Sequence, residues 1–185
     1  QRRIVNKVGP EYYSLKLDSV LTQLQTGKSL IYTNWLDFGA DIASTFLTNH
    51  GISHRIFSGN LAKRARDKMV KDFNDDKFDV LIVTRAGGEG LDLKGINSVI
   101  VTEPVWNDAV LRQIIGRAVR YKSHHHLPKK DRVVNVWKMI LVEPDVKDWR
   151  VDPTMSGDAL LYRIIEKKAT SNEQIVELLK LLSIK

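Results

Sequence analysis

Apolar residues along this chain alternate between short continuous runs and stretches with helical spacing. The continuous runs predict buried strands, at Leu30–Tyr32, His54–Phe57, Val80–Val83, Ser98–Val101 and Arg132–Leu141. The stretches with helical spacing predict helices, at residues 15–24, 37–50, 65–73 and 108–121. Strands that alternate with helices predict an α/β fold with an open, mostly parallel sheet and helices on both faces.

The last forty residues have a different pattern. Residues 145–153 are charged, contain a tryptophan and end at a proline, which predicts a connector. Two apolar stripes with helical spacing follow, and Ser171 with Gln174 fits a capping box between two helices. We therefore expect a domain at residues 1–144 and a connector with a helical extension at residues 145–185.

The composition narrows the class of protein. The 185 residues are 43% hydrophobic and 28% charged, as expected for a globular domain with one sizeable core. There is no cysteine, and no apolar run approaches the roughly 20 residues of a membrane helix. We expect an intracellular protein without a membrane partner, and the start at Gln1 suggests a piece of a longer chain. The formal net charge of +7 would attract polyanions such as nucleic acids.

The stretch Gly27-Lys28-Ser29 matches the end of a phosphate-binding P-loop. A full P-loop has another glycine five residues earlier, where Thr22 stands, and it follows its strand instead of preceding it. We therefore interpret Gly27-Lys28 as the end of a helix and Ser29 as the start of a strand. The chain contains no complete P-loop pattern.

Two other stretches are candidates for chemistry. After the Val80–Val83 strand, Thr84–Leu93 contains three glycines that would let the backbone approach a ligand at the carboxyl edge of the sheet. A dinucleotide fingerprint is excluded because it needs a third glycine where Leu93 stands. Taken alone, the glycine cluster favours a plain loop.

The second stretch, Gln113–Arg120, reads QIIGRAVR. In a helix, residues 113, 117 and 120 would share one face, and the apolar residues Ile114, Ile115, Ala118 and Val119 would be buried. Gly116 costs about 1 kcal/mol of helix propensity relative to alanine, which suggests close approach of another group. The guanidinium fork of arginine matches phosphate oxygens. Taken alone, the pattern fits a solvated basic face equally well.

In combination, Thr84–Leu93 and Gln113–Arg120 resemble motifs V and VI of the second RecA-like lobe of superfamily-2 helicases and translocases, most closely the Swi/Snf-type motors. Ser14–Leu17, a helix and then Lys28–Trp35 are similar to the start of motif IV, and Ser58-Gly59 followed by Arg66 and Phe73 repeats the family's spacing. The resemblance covers roughly residues 14–141.

One departure concerns the subfamily. Gly116 stands where remodelling motors usually have aspartate. The continuation Tyr121–His124 is similar to the ATPases and helicases of large cytoplasmic DNA viruses.

The resemblance implies a three-layer RecA-like domain and a motor in which ATP with Mg²⁺ lies between two lobes. The N-terminal lobe, absent from this sequence, would hold most of the nucleotide. Arg117 and Arg120 would be catalytic at the transferred phosphate, with Arg120 as the arginine finger, and Gln113, Gly90 and Asp92 would bind near the nucleotide. The implied nucleic-acid contacts are Thr84, Arg85, Gly87, Gly88, Ser58, Gly59, Lys63 and Arg64.

The implied function is the second motor lobe of an ATP-dependent helicase or translocase. Its partners would be DNA or RNA, the N-terminal lobe and a protein at the C-terminal helices, in the nucleus, the cytoplasm or a virion. We expect no ATP hydrolysis by this chain alone and no metal site, with His124–His126 in a solvent-exposed turn. A catalytically inactive nucleic-acid-binding or protein-docking module is one alternative. An unrelated nucleotide-binding enzyme is another.

Overall fold

A computed structural model of the protein describes residues 15–24, 27–85, 91–142, 147–148, 150 and 156–183. The strands within these residues are β1 (Lys28–Thr33), β2 (His54–Phe57), β3 (Val80–Thr84), β4 (Ile96–Val101) and β5 (Asn135–Lys138). The α-helices within them are α1 (Leu15–Gln23), α2 (Asp41–Asn49), α3 (Lys63–Asn74), α4 (Asp108–Ala118) and α5 (Gly157–Ser183). A π-helical turn at Leu36–Ala40 precedes α2, and a short 3₁₀ helix at Lys129–Asp131 precedes β5.

The strands form one sheet in the order β2-β3-β1-β4-β5, and every neighbouring pair is parallel. In the centre, Leu30 of β1 pairs with Leu81 of β3 on one side and with Val99 of β4 on the other. Parallel strands place all their carboxyl ends at the same edge, so the loops after β1, β2 and β3 meet there. The predicted α/β fold with a parallel sheet is confirmed.

Helices cover both faces of this sheet. Leu30 and Tyr32 of β1 belong to a core with α3 and α4, where Phe73, Leu111 and Ile114 are buried. Ile31, between them in sequence, belongs to the opposite core with α1 and α2. Because successive strand residues point to opposite faces, burial on both faces needs continuous apolar runs. This arrangement is a three-layer α/β domain.

Strand β5 is shorter than the predicted strand at Arg132–Leu141. It covers four residues, all of them exposed, at the edge of the sheet beside β4. Val136 and Trp137 are each more than one third exposed. The continuous apolar run therefore predicted a longer and more buried strand than the structure contains.

The prediction of two C-terminal helices is wrong. The chain from Gly157 to Ser183 is one continuous helix of 27 residues, and Ser171 does not cap it. The Ser171 hydroxyl donates instead to the carbonyl of Lys167 at 3.0 Å, the bond that a serine makes inside a helix. The first turns of α5 bury Leu161 and Tyr162, whereas Ile175, Val176 and Leu178 are about half exposed. The division at residue 144 stays a prediction.

Candidate nucleotide and nucleic-acid sites

Thr84 and Asp92 lie at opposite ends of the parallel strands. Thr84 is the last residue of β3, whereas Asp92 lies beside the end of α3, where the Asn74 side-chain amide donates to the Asp92 carbonyl at 2.9 Å. The Lys94 amide donates to Asn74 Oδ1 at 2.9 Å, shortly before β4 begins. The sequence-predicted site residues therefore lie in two groups, at opposite edges of the sheet. Gly87, Gly88 and Gly90 lie outside the described residues.

At the carboxyl edge, four of the predicted nucleic-acid residues line one cavity of about 500 Å³. These four are Ser58, Gly59, Thr84 and Arg85, and the cavity is completed by Asn34, Leu36 and Asn60. Lys63 and Arg64 are exposed at the start of α3, outside this lining. Sequence reasoning missed Asn34 and Asn60, although each follows a predicted strand whose carboxyl end had to reach this edge.

A buried carboxylate fixes the loop that carries Asn34. Glu103 follows β4 and is 8% exposed, and its two carboxylate oxygens lie 2.9 and 3.0 Å from Thr33 Oγ1. The backbone amide of Asn34 donates to Glu103 Oε2 at 2.9 Å, and the Asn34 side-chain amide donates to the carbonyl of Pro104 at 3.2 Å. The loops after β1 and β4 are thus joined, which directs Asn34 toward the cavity. Sequence reasoning missed Glu103 as well.

Tyr32 lies behind this loop and donates its hydroxyl to Asn34 Oδ1 at 3.1 Å. Burial raises the pKa of the Tyr32 phenol to about 12, the Arg85 guanidinium lowers it, and the Glu103 carboxylate adds to the rise. The phenol therefore stays protonated at neutral pH and keeps donating to Asn34.

At the opposite edge, the arginine pair has a different geometry from the predicted one. Helix α4 ends at Ala118, and Val119 leaves the helical conformation with φ −112° and ψ 48°. Gln113 and Arg117 still share a helix face, but Arg120 lies beyond the helix, so the predicted common face of all three residues is wrong. Val119, predicted to be buried, is 52% exposed. No glycine or proline directly follows Ala118, so this helix end has no signal in the sequence.

Arg120 forms an ion pair with Asp92 at the surface. Arg120 Nη1 lies 3.2 Å from Asp92 Oδ1, and the two side chains are 46% and 63% exposed. An exposed pair of this kind is worth about 0–1 kcal/mol, so a phosphate group can compete with Asp92 for the guanidinium. Gln113 is exposed and Arg117 is half-buried on the neighbouring turn.

Gly116 lies on the exposed side of α4. Among the described residues, no heavy atom would lie within 4 Å of a Cβ atom added there. Packing among these residues therefore does not account for a glycine at this position.

The histidine run was predicted as a solvent-exposed turn, and this is correct for His125 and His126. His124 is half-buried and bonds through Nε2 to the carbonyl of Ile96 at 2.7 Å. Within the part of the chain that the structure describes, no group of three potential metal ligands occurs. No helix in that same part is long and apolar enough to cross a membrane.

The five-stranded parallel sheet with helices on both faces matches the fold of RecA-like C-terminal helicase domains. Two of the solved structures with this fold illustrate the match. The C-terminal part of the Fun30 ATPase domain aligns with a TM-score of 0.62 at 21% identity, covering 87% of this chain and 57% of that one. The C-terminal domain of the DEAD-box protein Dbp5 aligns with a TM-score of 0.58 at 20% identity, covering 83% and 77%.

The chain belongs to the family described as "Helicase conserved C-terminal domain", which matches residues 14–122. It is 34% identical over 157 residues to "Putative ATP-dependent RNA helicase L538" of Acanthamoeba polyphaga mimivirus, covering 84% of this chain and 34% of that protein. It is 32% identical over 165 residues to "Nucleoside triphosphatase I" of Choristoneura biennis entomopoxvirus, covering 85% and 24%. The chain thus spans about a third or less of these viral relatives, and the predicted resemblance is confirmed.

Proposed function

We propose that this chain is the second motor lobe of an ATP-dependent nucleic-acid helicase or translocase. The observation that carries the proposal is the position of Arg120, which is exposed at one edge of the sheet and paired with the exposed carboxylate of Asp92. A permanent cation in a weak surface pair is available to an incoming phosphate.

In the proposed mechanism, ATP and Mg²⁺ are held mainly by an N-terminal lobe outside this chain. Arg120 leaves Asp92 and donates to the transferred phosphate, assisted by Arg117, so that charge developing in the transition state is stabilised. Such an arginine contributes on the order of 10³ to 10⁵ in rate, which is roughly 4–7 kcal/mol. Gln113, Gly90 and Asp92 are the proposed contacts near the nucleotide, with Asp92 free to accept a hydrogen bond once Arg120 has moved.

The nucleic-acid backbone is proposed to bind at the carboxyl-edge cavity. Ser58 and Thr84 offer hydroxyl donors there, Gly59 offers a backbone without a side chain, and Arg85 is an exposed cation. Contacts of this type position a phosphate backbone without reading its sequence. Gly87, Gly88, Lys63 and Arg64 complete the proposed nucleic-acid contacts, and either DNA or RNA satisfies this chemistry.

The proposed protein partners are the N-terminal lobe, on the side of Arg120, and a further protein on the exposed half of α5. We propose an intracellular location in the nucleus or cytoplasm, or in a virion for a viral protein. The alternative is a module that keeps the fold for binding nucleic acid or protein without catalysis. The pair Arg117 and Arg120, the second exposed and paired with Asp92, favours the motor, because a docking module has no need of both.

The test is Arg120→Ala in the protein that carries both lobes. We expect ATP turnover to fall by on the order of 10³ or more, while affinity for nucleic acid changes little. Arg112→Ala, at an exposed arginine on α4, the helix that precedes Arg120, is the control and should keep most of its turnover. Undiminished turnover in Arg120→Ala would show that the arginine assignment is wrong.

A two-lobe protein that binds nucleic acid without hydrolysing ATP would favour the inactive module. A second arm tests this chain alone, which should show no Mg²⁺-dependent turnover and no tight binding of ATP or dinucleotides in calorimetry. Turnover or tight nucleotide binding by this chain alone would contradict the proposal that the N-terminal lobe holds most of the nucleotide.

A further inference from the structure

The backbone of Arg120 is held by a residue that follows it closely. Ser123 is 4% exposed, and its backbone amide donates to the Arg120 carbonyl at 3.0 Å. The Ser123 hydroxyl oxygen lies 2.7 Å from the same carbonyl oxygen. Residues 120–123 therefore form a tight turn whose first carbonyl has two potential donors on a single buried residue.

This turn is tied to the beginning of β4 at two points. The Gly95 amide donates to the Ser123 carbonyl at 3.0 Å. His124 Nδ1 lies 2.7 Å from the Ser123 hydroxyl, and His124 Nε2 lies 2.7 Å from the carbonyl of Ile96. A chain of hydrogen bonds thus connects the central sheet to the arginine through one imidazole and one hydroxyl.

The order of hydrogens in this chain follows from the groups involved. The Ile96 carbonyl can only accept, so His124 Nε2 carries a hydrogen. When Nδ1 is unprotonated, the Ser123 hydroxyl donates to the ring, and the Arg120 carbonyl still accepts a hydrogen bond from the Ser123 backbone amide. With Nδ1 protonated, the ring donates to the hydroxyl, which then donates to the Arg120 carbonyl. The Arg120 backbone remains bound to Ser123 in both forms.

Arg120 needs such support for two reasons. It lies beyond the end of α4, so no helical hydrogen bonds fix its direction, and its surface pair with Asp92 is weak. Lys122 within the turn has φ 64°, a conformation that costs a residue with a side chain about 1–3 kcal/mol and persists where surrounding contacts enforce it. Ser123 and His124 provide those contacts.

We propose that Ser123 and His124 are positioning residues for the arginine finger. The inference rests on the proposed function of Arg120 and adds two residues that act through its backbone without contacting the nucleotide. Their hydrogen bonds hold the turn so that the guanidinium is directed at the transferred phosphate. Loss of either side chain would leave Arg120 charged and exposed, with its carbonyl still bound to the Ser123 amide but its direction less firmly fixed.

The experiment uses Ser123→Ala and His124→Ala in the protein that carries both lobes, with His125→Ala as the matched control. Misplacing a catalytic group by about 1 Å can cost on the order of 100-fold, so we expect kcat to fall by about 10- to 100-fold in the two variants. The KM for ATP, the affinity for nucleic acid and the melting temperature should change little. His125 is an exposed neighbour, and its variant should keep the parent kcat.

The same substitutions are then combined with Arg120→Ala, under single-turnover conditions with excess enzyme so that slow rates remain measurable. Positioning residues act through Arg120, so they should cause no further loss in that background. An equal loss in both backgrounds, or a collapse of the melting temperature, would mean a general structural role and overturn the proposal.

Parent-like kcat in Ser123→Ala and His124→Ala would also overturn the positioning proposal. If Arg120→Ala were impaired in that case, the proposed function would stand. If Arg120→Ala itself kept full turnover, the proposed function would fail first.

Discussion

The ammonium group of Lys16 on α1 forms a buried ion pair with the carboxylate of Asp158 on α5. The two residues are 3% and 6% exposed. Lys16 also donates to the carbonyl of Thr102 at 2.8 Å, and Asp158 Oδ2 accepts the backbone amide of Leu141 at 3.1 Å. Two buried charges therefore attach the first turn of α5 to the carboxyl end of β4.

We predict that Lys16→Met destabilises the chain by about 3–5 kcal/mol, because it leaves the Asp158 carboxylate buried without a counter-charge. Urea denaturation of the chain measures this loss. The control is Lys16→Met combined with Asp158→Asn, which removes both charges and keeps an acceptor for the Leu141 amide, and it should recover most of the stability. A Lys16→Met variant as stable as the parent would contradict the burial of this ion pair.

The second stability prediction concerns the close packing of Gly39 against Thr33. A Cβ atom at this position would lie 2.0 Å from Thr33 Oγ1 and 3.0 Å from Thr33 Cβ. We expect Gly39→Ala to cost about 1–3 kcal/mol through overpacking, and to separate Thr33 from Glu103. Thermal denaturation tests the loss. Gly157→Ala is the control, since no heavy atom of the described residues lies within 4 Å of its Cβ position, and it should not lower the melting temperature.

The fold was largely predictable because burial on both faces of a parallel sheet leaves a clear sequence pattern. Strands β1 to β4 appear within two residues of their apolar runs, and β2 has the predicted ends. The prediction errors occur where a segment is only partly buried or where a local hydrogen bond determines the structure. The edge strand β5 is shorter than its apolar run, and a hydroxyl bond inside α5 replaced the expected cap at Ser171.

The roles of the candidate site residues stay predictions, and their geometry was only partly predictable. Ser58, Gly59, Thr84 and Arg85 line one cavity because they lie at the ends of β2 and β3, and parallel strands have their carboxyl ends on the same side of the sheet. The position of Arg120 depended on where α4 ends, and the turn after that end is bonded to the start of β4 through the Ser123 carbonyl and His124 Nε2. Periodicity within one helix carries no information about such long-range contacts.

The ion pairs of the Asp72 carboxylate should make the folding stability of the chain depend on pH. The ammonium nitrogens of Lys68 and Lys77 lie 2.5 and 2.6 Å from the Asp72 carboxylate oxygens. These hydrogen bonds lower the pKa of Asp72 from 3.8 to about 2, and the bond from Lys68 has the larger effect. Because the folded pKa is below the unfolded value, the contribution is present above about pH 4 and is lost as the pH falls toward 2. We expect Asp72→Asn to be less stable than the parent at pH 7, with the difference vanishing toward pH 2.

Urea denaturation at a series of pH values measures this difference for Asp72→Asn. Asp67→Asn changes an exposed carboxylate on the same helix and serves as the control, with little effect expected at any of these pH values. A constant difference between Asp72→Asn and the parent from pH 7 to pH 2 would show that the ion pairs are not its cause.

Gly116 allows stability and activity to be separated in one substitution. Its Cβ position is open, so Gly116→Ala should stabilise the isolated chain by about 0.5–1 kcal/mol through helix propensity, measured by urea denaturation. If the glycine is there to admit the nucleotide or the other lobe, the same methyl group should slow ATP turnover in the two-lobe protein while the melting temperature rises. A gain in stability cannot by itself remove a catalytic contact, so the opposite signs would assign the effect to close approach. A stabilised variant with the turnover of the parent would instead show that the face of α4 at Gly116 is not contacted during the reaction.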